Sequence, residues 1–189
     1  MRWQQLFADL QAQFEEEEAS AERAESASRI RAEIGAVALA QRLRGAEGGA
    51  LFLRCGAAGQ VRGVLREVGT DWLLLEDEQG RSNLVATSVV QAVGGLGRRT
   101  AAAEELGVVR GRLDLRRALR GLARDRSAVQ VVLNDGAVLF GTVDRVGADY
   151  VELAEHPLDV PRRAEAVQAV SAVVIAAIAV VRSASPGPE

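Results

Sequence analysis

The sequence predicts a mainly β protein with helices, in which two small β-barrels follow an extended N-terminal helical segment and each barrel is preceded by a helix. Three observations support this fold class. The stretch Val129–Leu153 consists of three short apolar segments separated by turns that contain glycine. An earlier stretch, Leu51–Leu75, has the same outline. A helical pattern of apolar residues precedes each of the two stretches.

The two stretches also match in register, which indicates an internal duplication. The matched residues are two glycines, an aspartate, an aromatic residue and a leucine: Gly63, Gly69, Asp71, Trp72 and Leu75 in the first copy, and Gly141, Gly147, Asp149, Tyr150 and Leu153 in the second. The first copy has strand candidates at Leu51–Cys55, Gln60–Val68, Asp71–Glu76 and Asn83–Val93. About five short strands at this spacing favour a closed barrel over a flat sheet.

The chain therefore divides into five predicted segments. These are an N-terminal helical segment (1–46), a first small barrel (47–96), a basic linker with a helix (97–127), a second small barrel (128–182) and a disordered tail (183–189). The apolar run 166–181 is shorter than the ~20 residues that a bilayer span needs. We predict two buried strands there, joined by a short turn at Ala176-Ala177, and no membrane segment.

Composition argues against most catalytic chemistry. All 23 basic residues are arginine, which excludes a Schiff-base lysine and a phosphate-loop lysine. One cysteine and one histidine cannot form a structural zinc site. We predict a buried, inert thiol at Cys55 and a solvent-exposed ring at His156, which lies in a proline-flanked loop. The sequence thus predicts a non-enzymatic protein with no catalytic residues, no cofactor, no metal site and no small-molecule substrate.

The N-terminal segment carries an apolar stripe, which is defined by Trp3, Phe7, Leu10 and Phe14. Steps of four, three and four residues place these side chains on one face of a helix. The stripe is a candidate interface for a protein partner or for a second copy of the chain. No long apolar run opens the sequence, so we expect no signal peptide and a cytoplasmic location.

The linker between the predicted barrels is basic. From Leu96 to Ala128 it carries nine arginines against four acids, a local charge of +5. Leucines spaced i, i+4 and i+7 predict a helix over Asp114–Arg124, with arginines on its other faces. Arginine suits phosphate geometry. The predicted nucleic-acid contacts are Arg98, Arg99, Arg110, Arg112, Arg116, Arg117 and Arg120.

The matched turn residues have structural and functional interpretations. At Gly69 and Gly147 we predict positive φ, with Asp71 and Asp149 accepting local backbone hydrogen bonds. The aromatic residue that follows each aspartate either stacks a nucleobase or plugs the end of a barrel, and the core position is favoured.

The second copy resembles the first of the two Sm sequence motifs. The residues that carry this resemblance are Val131, Leu133, Asp135, Gly136, Gly141, Val143, Tyr150 and Leu153. The resemblance implies a helix followed by five bent strands in an SH3-like barrel. The base-holding asparagine of the RNA-binding members and the basic-glycine pair of the second motif are not found. The resemblance therefore implies the fold, without the uridine pocket or the ring assembly.

The chain is also similar to a group of uncharacterised proteins from high-GC Gram-positive bacteria. The similar segments are MRWQQLFADL at the start, ARDR at 123–126 and VGADYVELAEH at 146–156. Some of those proteins carry the label Fis-type transcriptional regulator. Residues 100–113 are similar to a helix-turn-helix, with Gly107 at the turn. Three functions thus remain open: nucleic-acid binding through the linker, a protein scaffold, and a DNA-binding regulator.

Overall fold

The computed structural model describes residues 2–101, 113–158 and 162–186. Within them the chain is mainly β with helices, as predicted: ten antiparallel strands form one sheet, and three α-helices accompany it. Helix α1 is Arg2–Gly35, α2 is Leu39–Arg44 and α3 is Leu115–Asp125. Met1–Leu39 forms one compact unit and Ala40–Glu189 a second.

The strands come in two sets of five, here called the first half and the second half. The first half consists of β1 (Ala50–Arg54), β2 (Gln60–Val68), β3 (Trp72–Glu76), β4 (Arg81–Ala86) and β5 (Ala92–Gly94). The second half consists of β6 (Ala128–Leu133), β7 (Val138–Val146), β8 (Tyr150–Glu155), β9 (Ala169–Val174) and β10 (Ile178–Pro186). A 3₁₀ turn separates the last two strands of each half, at Thr87–Val89 and Ile175–Ala177.

The sheet is open, with the strand order β5-β1-β2-β3-β4-β10-β6-β7-β8-β9. The predicted closure of each barrel is not observed, because β4 pairs with β3 and with β10 of the other half, but not with β5. Strand β5 pairs only with β1, and β9 pairs only with β8, in the described parts of the chain. The hydrogen-bonded ladder therefore runs from one half into the other.

Two apolar cores lie against this sheet, and each contains residues from both halves. The first core is built mainly by β1–β4 and also includes Val132, Ala179 and Val180. The second is built by α3 and β6–β10 and also includes Trp72, Leu84 and Ala86. Because side chains alternate along a strand, β4 sends Val85 into one core and its neighbours into the other.

Two pairs of glycines are required by close packing. A Cβ atom at Gly63 would collide with the carbonyl oxygen of Glu76, and one at Gly141 with that of Ala154. At Gly69 and Gly147 a Cβ atom would collide with the ring of the aromatic residue three positions later. The prediction of positive φ at these last two glycines is wrong, since neither is among the described residues with positive φ. These two glycines are required instead because a side chain would collide with the aromatic ring.

His156 is buried, which corrects the prediction of a solvent-exposed ring. It is 2% exposed, and its Nδ1 lies 2.8 Å from the carbonyl oxygen of Pro157. A carbonyl only accepts, so Nδ1 donates to it, and Nε2 lies 2.8 Å from the hydroxyl of Thr142, which can donate or accept. Both ring nitrogens are thus used in holding the loop after β8 against β7.

The C-terminal strand is longer than predicted. Strand β10 continues to Pro186, where a disordered tail from Ser183 was predicted. Ser183 pairs with Val129, and its hydroxyl accepts from the backbone N–H of Ser82.

Cys55 is buried as predicted, and burial raises the pKa of its thiol although the nearby Arg182 opposes the shift. The thiol therefore stays protonated at neutral pH.

We expect Gly141→Ala to lower the free energy of unfolding by about 2 kcal/mol or more, because the added methyl group meets fixed backbone. Gly121→Ala is the control. No atom lies within 4 Å of its Cβ position in α3, so that substitution should stabilise by about 0.5–1 kcal/mol. Urea denaturation measures both. Equal effects at the two sites would contradict the packing argument.

Candidate nucleic-acid interface

Helix α3 forms where the leucine spacing predicted it. The carboxylate of Asp114 caps the first turn by accepting from the backbone N–H of Arg117 at 2.8 Å. Leu115 and Leu119 are buried in the second core. The helix ends at Arg126, whose φ of 50° is left-handed. Its apolar face is therefore fixed, and its other faces point away from the core.

The first half holds the start of α3. The carboxylate of Asp71 accepts from the backbone N–H of Leu115 at 2.7 Å, and the indole N–H of Trp72 donates to the carbonyl of Leu113 at 2.8 Å. The predicted local hydrogen bond of Asp71 is thus replaced by one to a residue far along the chain. Sequence reasoning missed this contact, because nothing in the local pattern pairs a turn with a helix 44 residues later.

The two matched aromatic residues differ in exposure. Trp72 is 5% exposed, so the favoured core interpretation is confirmed for it, whereas Tyr150 is 39% exposed. Asp149, which precedes Tyr150, is also exposed. The second half therefore lacks the helix that covers the corresponding turn of the first half, within the described residues.

Three arginines form what we call the arginine face of α3: Arg117, Arg120 and Arg124. All three are exposed, and their i, i+3, i+7 spacing places them along one side of the helix. No ion pair or side-chain hydrogen bond engages their guanidinium groups in the part of the chain that the structure describes. They line a groove of about 520 Å³, and Glu67 and Trp72 line the same groove. Arg124 was not among the predicted contacts.

The other predicted arginines lie elsewhere. Arg116 turns toward the second half, with Nη2 at 3.8 Å from the carboxylate of Asp114 and Nη1 at 3.5 Å from the carbonyl of Ala148. Arg98 and Arg99 are exposed, and the backbone of Arg99 packs against Gly45 at the end of α2. The structure therefore brings Arg117 and Arg120 together on one face, and it places Arg98 and Arg99 beside another helix.

Two predictions fall outside the described residues. Arg110 and Arg112 are not described, and neither is most of the helix-turn-helix candidate at 100–113. The structure accordingly tests neither of these sites.

A larger cavity of about 670 Å³ lies between β1–β4 and the second half, and three of its six charged side chains are in ion pairs among the described residues. Arg81 lies 2.9 Å from the carboxylate of Asp77, and Glu76 pairs with Arg66 at 3.1 Å. Burial favours the neutral form of Asp77, but hydrogen bonds from the backbone of Arg81 and Gln79 and from the Arg81 side chain outweigh it and lower the pKa of this carboxyl. The other three charged side chains of this cavity make no ion pair among the described residues.

The N-terminal stripe is exposed. Trp3, Phe7, Leu10 and Phe14 each expose more than half of their surface, and all four lie on α1. Four large apolar side chains in contact with water are a candidate association surface.

Among the described residues no cluster of three or more histidine, cysteine, aspartate or glutamate side chains could hold a metal ion. In the same residues, no helix has the length and apolar character that crossing a membrane requires.

We expect Trp72→Phe to lower the free energy of unfolding by about 1–3 kcal/mol. It removes the indole hydrogen bond to the carbonyl of Leu113, which keeps only the longer bond from the backbone N–H of Thr70, and the smaller ring leaves space in the second core. Tyr150→Phe is the matched control and should change stability by less than about 0.5 kcal/mol, since its position is exposed. Denaturant titrations followed by circular dichroism give both values. A neutral Trp72→Phe would show that the indole does not anchor α3.

The sequence matches no protein-family model, and a search of curated proteins gives no match.

Proposed function

We propose that this protein is a non-catalytic nucleic-acid-binding adaptor that contacts phosphate groups through the arginine face of α3. We also propose that its two halves are copies of one small Sm-like or SH3-like unit, each preceded by a helix. The arginine face is the observation that carries the function, and the strand pairing supports the duplication.

The duplication is supported by pairing that repeats residue by residue. Leu53 lies opposite Val93 in the first half, as Val131 lies opposite Val181 in the second. The ladder between the second and third strands of each half shifts register at the same matched position, between Leu65 and Glu67 and between Val143 and Arg145. The fourth strands are also matched, because Trp72 pairs with Ala86 and Tyr150 with Val174.

The arginine face has the properties of a phosphate-binding surface. Its three guanidinium groups are exposed and free of carboxylate partners among the described residues, so binding a phosphate would break no existing ion pair. The helix that carries them is fixed at its start by Asp71 and Trp72. Fixed spacing lowers the entropic cost of binding. Contacts to phosphate position a protein on nucleic acid without reading its sequence.

An acidic residue of the same groove, Glu67, limits the affinity for phosphate. Glu67 faces the same space as Arg117 and Arg120, and its negative charge opposes an incoming phosphate. Removing this charge without changing the shape of the side chain should therefore strengthen binding.

The direct experiment replaces Arg117, Arg120 and Arg124 by glutamate and measures fluorescence anisotropy of labelled single-stranded RNA, single-stranded DNA and duplex DNA. We expect the unmodified protein to bind with a log–log salt slope of about −2 to −3, the value for three phosphate contacts. The triple variant should lose this binding. Glu67→Gln should strengthen it about twofold to fivefold, which corresponds to an exposed charge interaction of up to about 1 kcal/mol.

The matched control reverses Arg23, Arg29 and Arg31, three exposed arginines on α1, so that the net charge changes equally. It should retain most of the binding. Equal loss in the two variants would indicate a general charge effect, and absence of binding by the unmodified protein at low salt would refute the proposal. Circular dichroism verifies that each variant is folded.

A second candidate function is a protein scaffold that self-associates through the N-terminal stripe. The observation that favours it is the exposure of Trp3, Phe7, Leu10 and Phe14 on one long helix. Helices with such stripes bury them against a partner helix.

Deletion of residues 1–18 tests this candidate, because it removes the whole stripe and leaves the strands intact. If α1 joins two copies, the deletion should halve the mass measured by light scattering. Substitution of Trp3 and Phe7 by glutamate should have the same effect. An unchanged mass in both variants would exclude the stripe as an interface.

A further inference from the structure

Strands β4 and β9 occupy the same place in the two halves, but they differ in burial. The last four residues of β4 are all buried, which means that both faces of the strand are covered. In β9 only Val173 is buried, and its neighbours Ala172 and Val174 are exposed. The covering of β4 comes from the second half, which pairs β10 along its edge and places α3 over one face.

The uncovered residues of the second half form one patch. In the first half Trp72, Leu84 and Ala86 are packed into the second core. The residues at the matching positions of the second half are Tyr150, Ala172 and Val174. All three are exposed, and Val174 exposes 54% of its surface.

The turn before β8 lies beside this patch, and its aspartate binds no helix start within the described residues. The aspartate of the matching turn before β3 is hydrogen-bonded to the start of α3. The carboxylate of Asp71 accepts from the backbone at the start of α3. The matching carboxylate of Asp149 accepts no hydrogen bond from any residue that the structure describes.

The opposite end of the sheet has the complementary edge. Strand β10 pairs with β6 on one side and with β4 on the other. Strand β5 occupies the matching position in the first half, yet within the described ranges it pairs only with β1. Unpaired backbone N–H and C=O groups at such an edge are a template for another strand.

We propose that a second copy of this chain docks its β5 edge on the β9 edge of the first, so that the contact between copies repeats the β4–β10 junction inside each chain. This proposal rests on the proposed duplication and is independent of the arginine face. In the internal junction Val181 lies opposite Leu84, and Val180 opposite Val85. The matching pairs between copies are Val93 with Ala172 and Ala92 with Val173.

A second copy fits because the chain already contains both surfaces in contact. The internal junction places the last strand of one half against the fourth strand of the other, and the remaining free edges are of these same two kinds. The α2 helix of the incoming copy then lies toward Asp149 and Tyr150, as α3 lies toward Asp71 and Trp72. A contact of this kind is heterologous, so the assembly grows head to tail.

The experiment uses cysteine pairs in the full-length protein, with oxidation followed by non-reducing electrophoresis. The double variant Val93→Cys, Ala172→Cys should form covalent multimers, since directly opposed residues have Cβ atoms close enough to bridge. The control Ala92→Cys, Ala172→Cys is shifted by one residue, which places the two thiols on opposite faces of the sheet. Cys55 is buried and remains in both variants.

Light scattering of Val174→Asp supplies the second measurement. A charge in the patch should reduce the mass to that of one chain, whereas Val138→Asp, at an exposed valine of β7, should leave the multimer intact. A protein that is a single chain at every concentration would overturn the proposal. So would equal crosslinking in the two cysteine variants, or a multimer that survives Val174→Asp and disappears only when residues 1–18 are deleted.

Discussion

The β4–β10 ladder is the interaction on which the rest of the structure depends. It pairs Val85 with Val180 and Leu84 with Val181, and because neighbouring side chains point to opposite faces, these two pairs lie in different cores. Separating the halves would thus open both cores and expose two strand edges at once. The ten strands therefore fold as one sheet, in which the two sets of five follow the same strand order.

The position of the arginine face is a consequence of the same junction. Strand β3 of the first half begins beside α3, which brings Asp71 and Trp72 to the start of that helix. The buried leucines of that helix then fix its rotation. The arginine face lies on α3 alone, yet contacts with both halves set the orientation of that helix. Changes at Trp72 should accordingly affect both stability and binding.

The sequence was informative where the governing forces are local. The bounds of α3 follow from the leucine spacing and from Asp114, and the strands follow from short apolar segments between turns. The choice between β5 and β10 as the neighbour of β4 was not predictable, because the pairing of strand edges depends on residues that are far apart in the sequence. The burial of His156 was missed for a related reason, since its partner hydroxyl belongs to Thr142 on another strand.

The difference between Trp72 and Tyr150 follows from what each side chain needs when it is covered. A buried indole N–H needs a hydrogen-bond acceptor. For Trp72 the acceptor is the carbonyl of Leu113, which belongs to the same chain. A phenol hydroxyl both donates and accepts, so it is satisfied by water when exposed and by protein when covered. Tyr150 is therefore suited to an end of the sheet that is exposed to water in a single chain and covered in the proposed assembly. A tryptophan at this position would expose a larger apolar surface to water in the single chain.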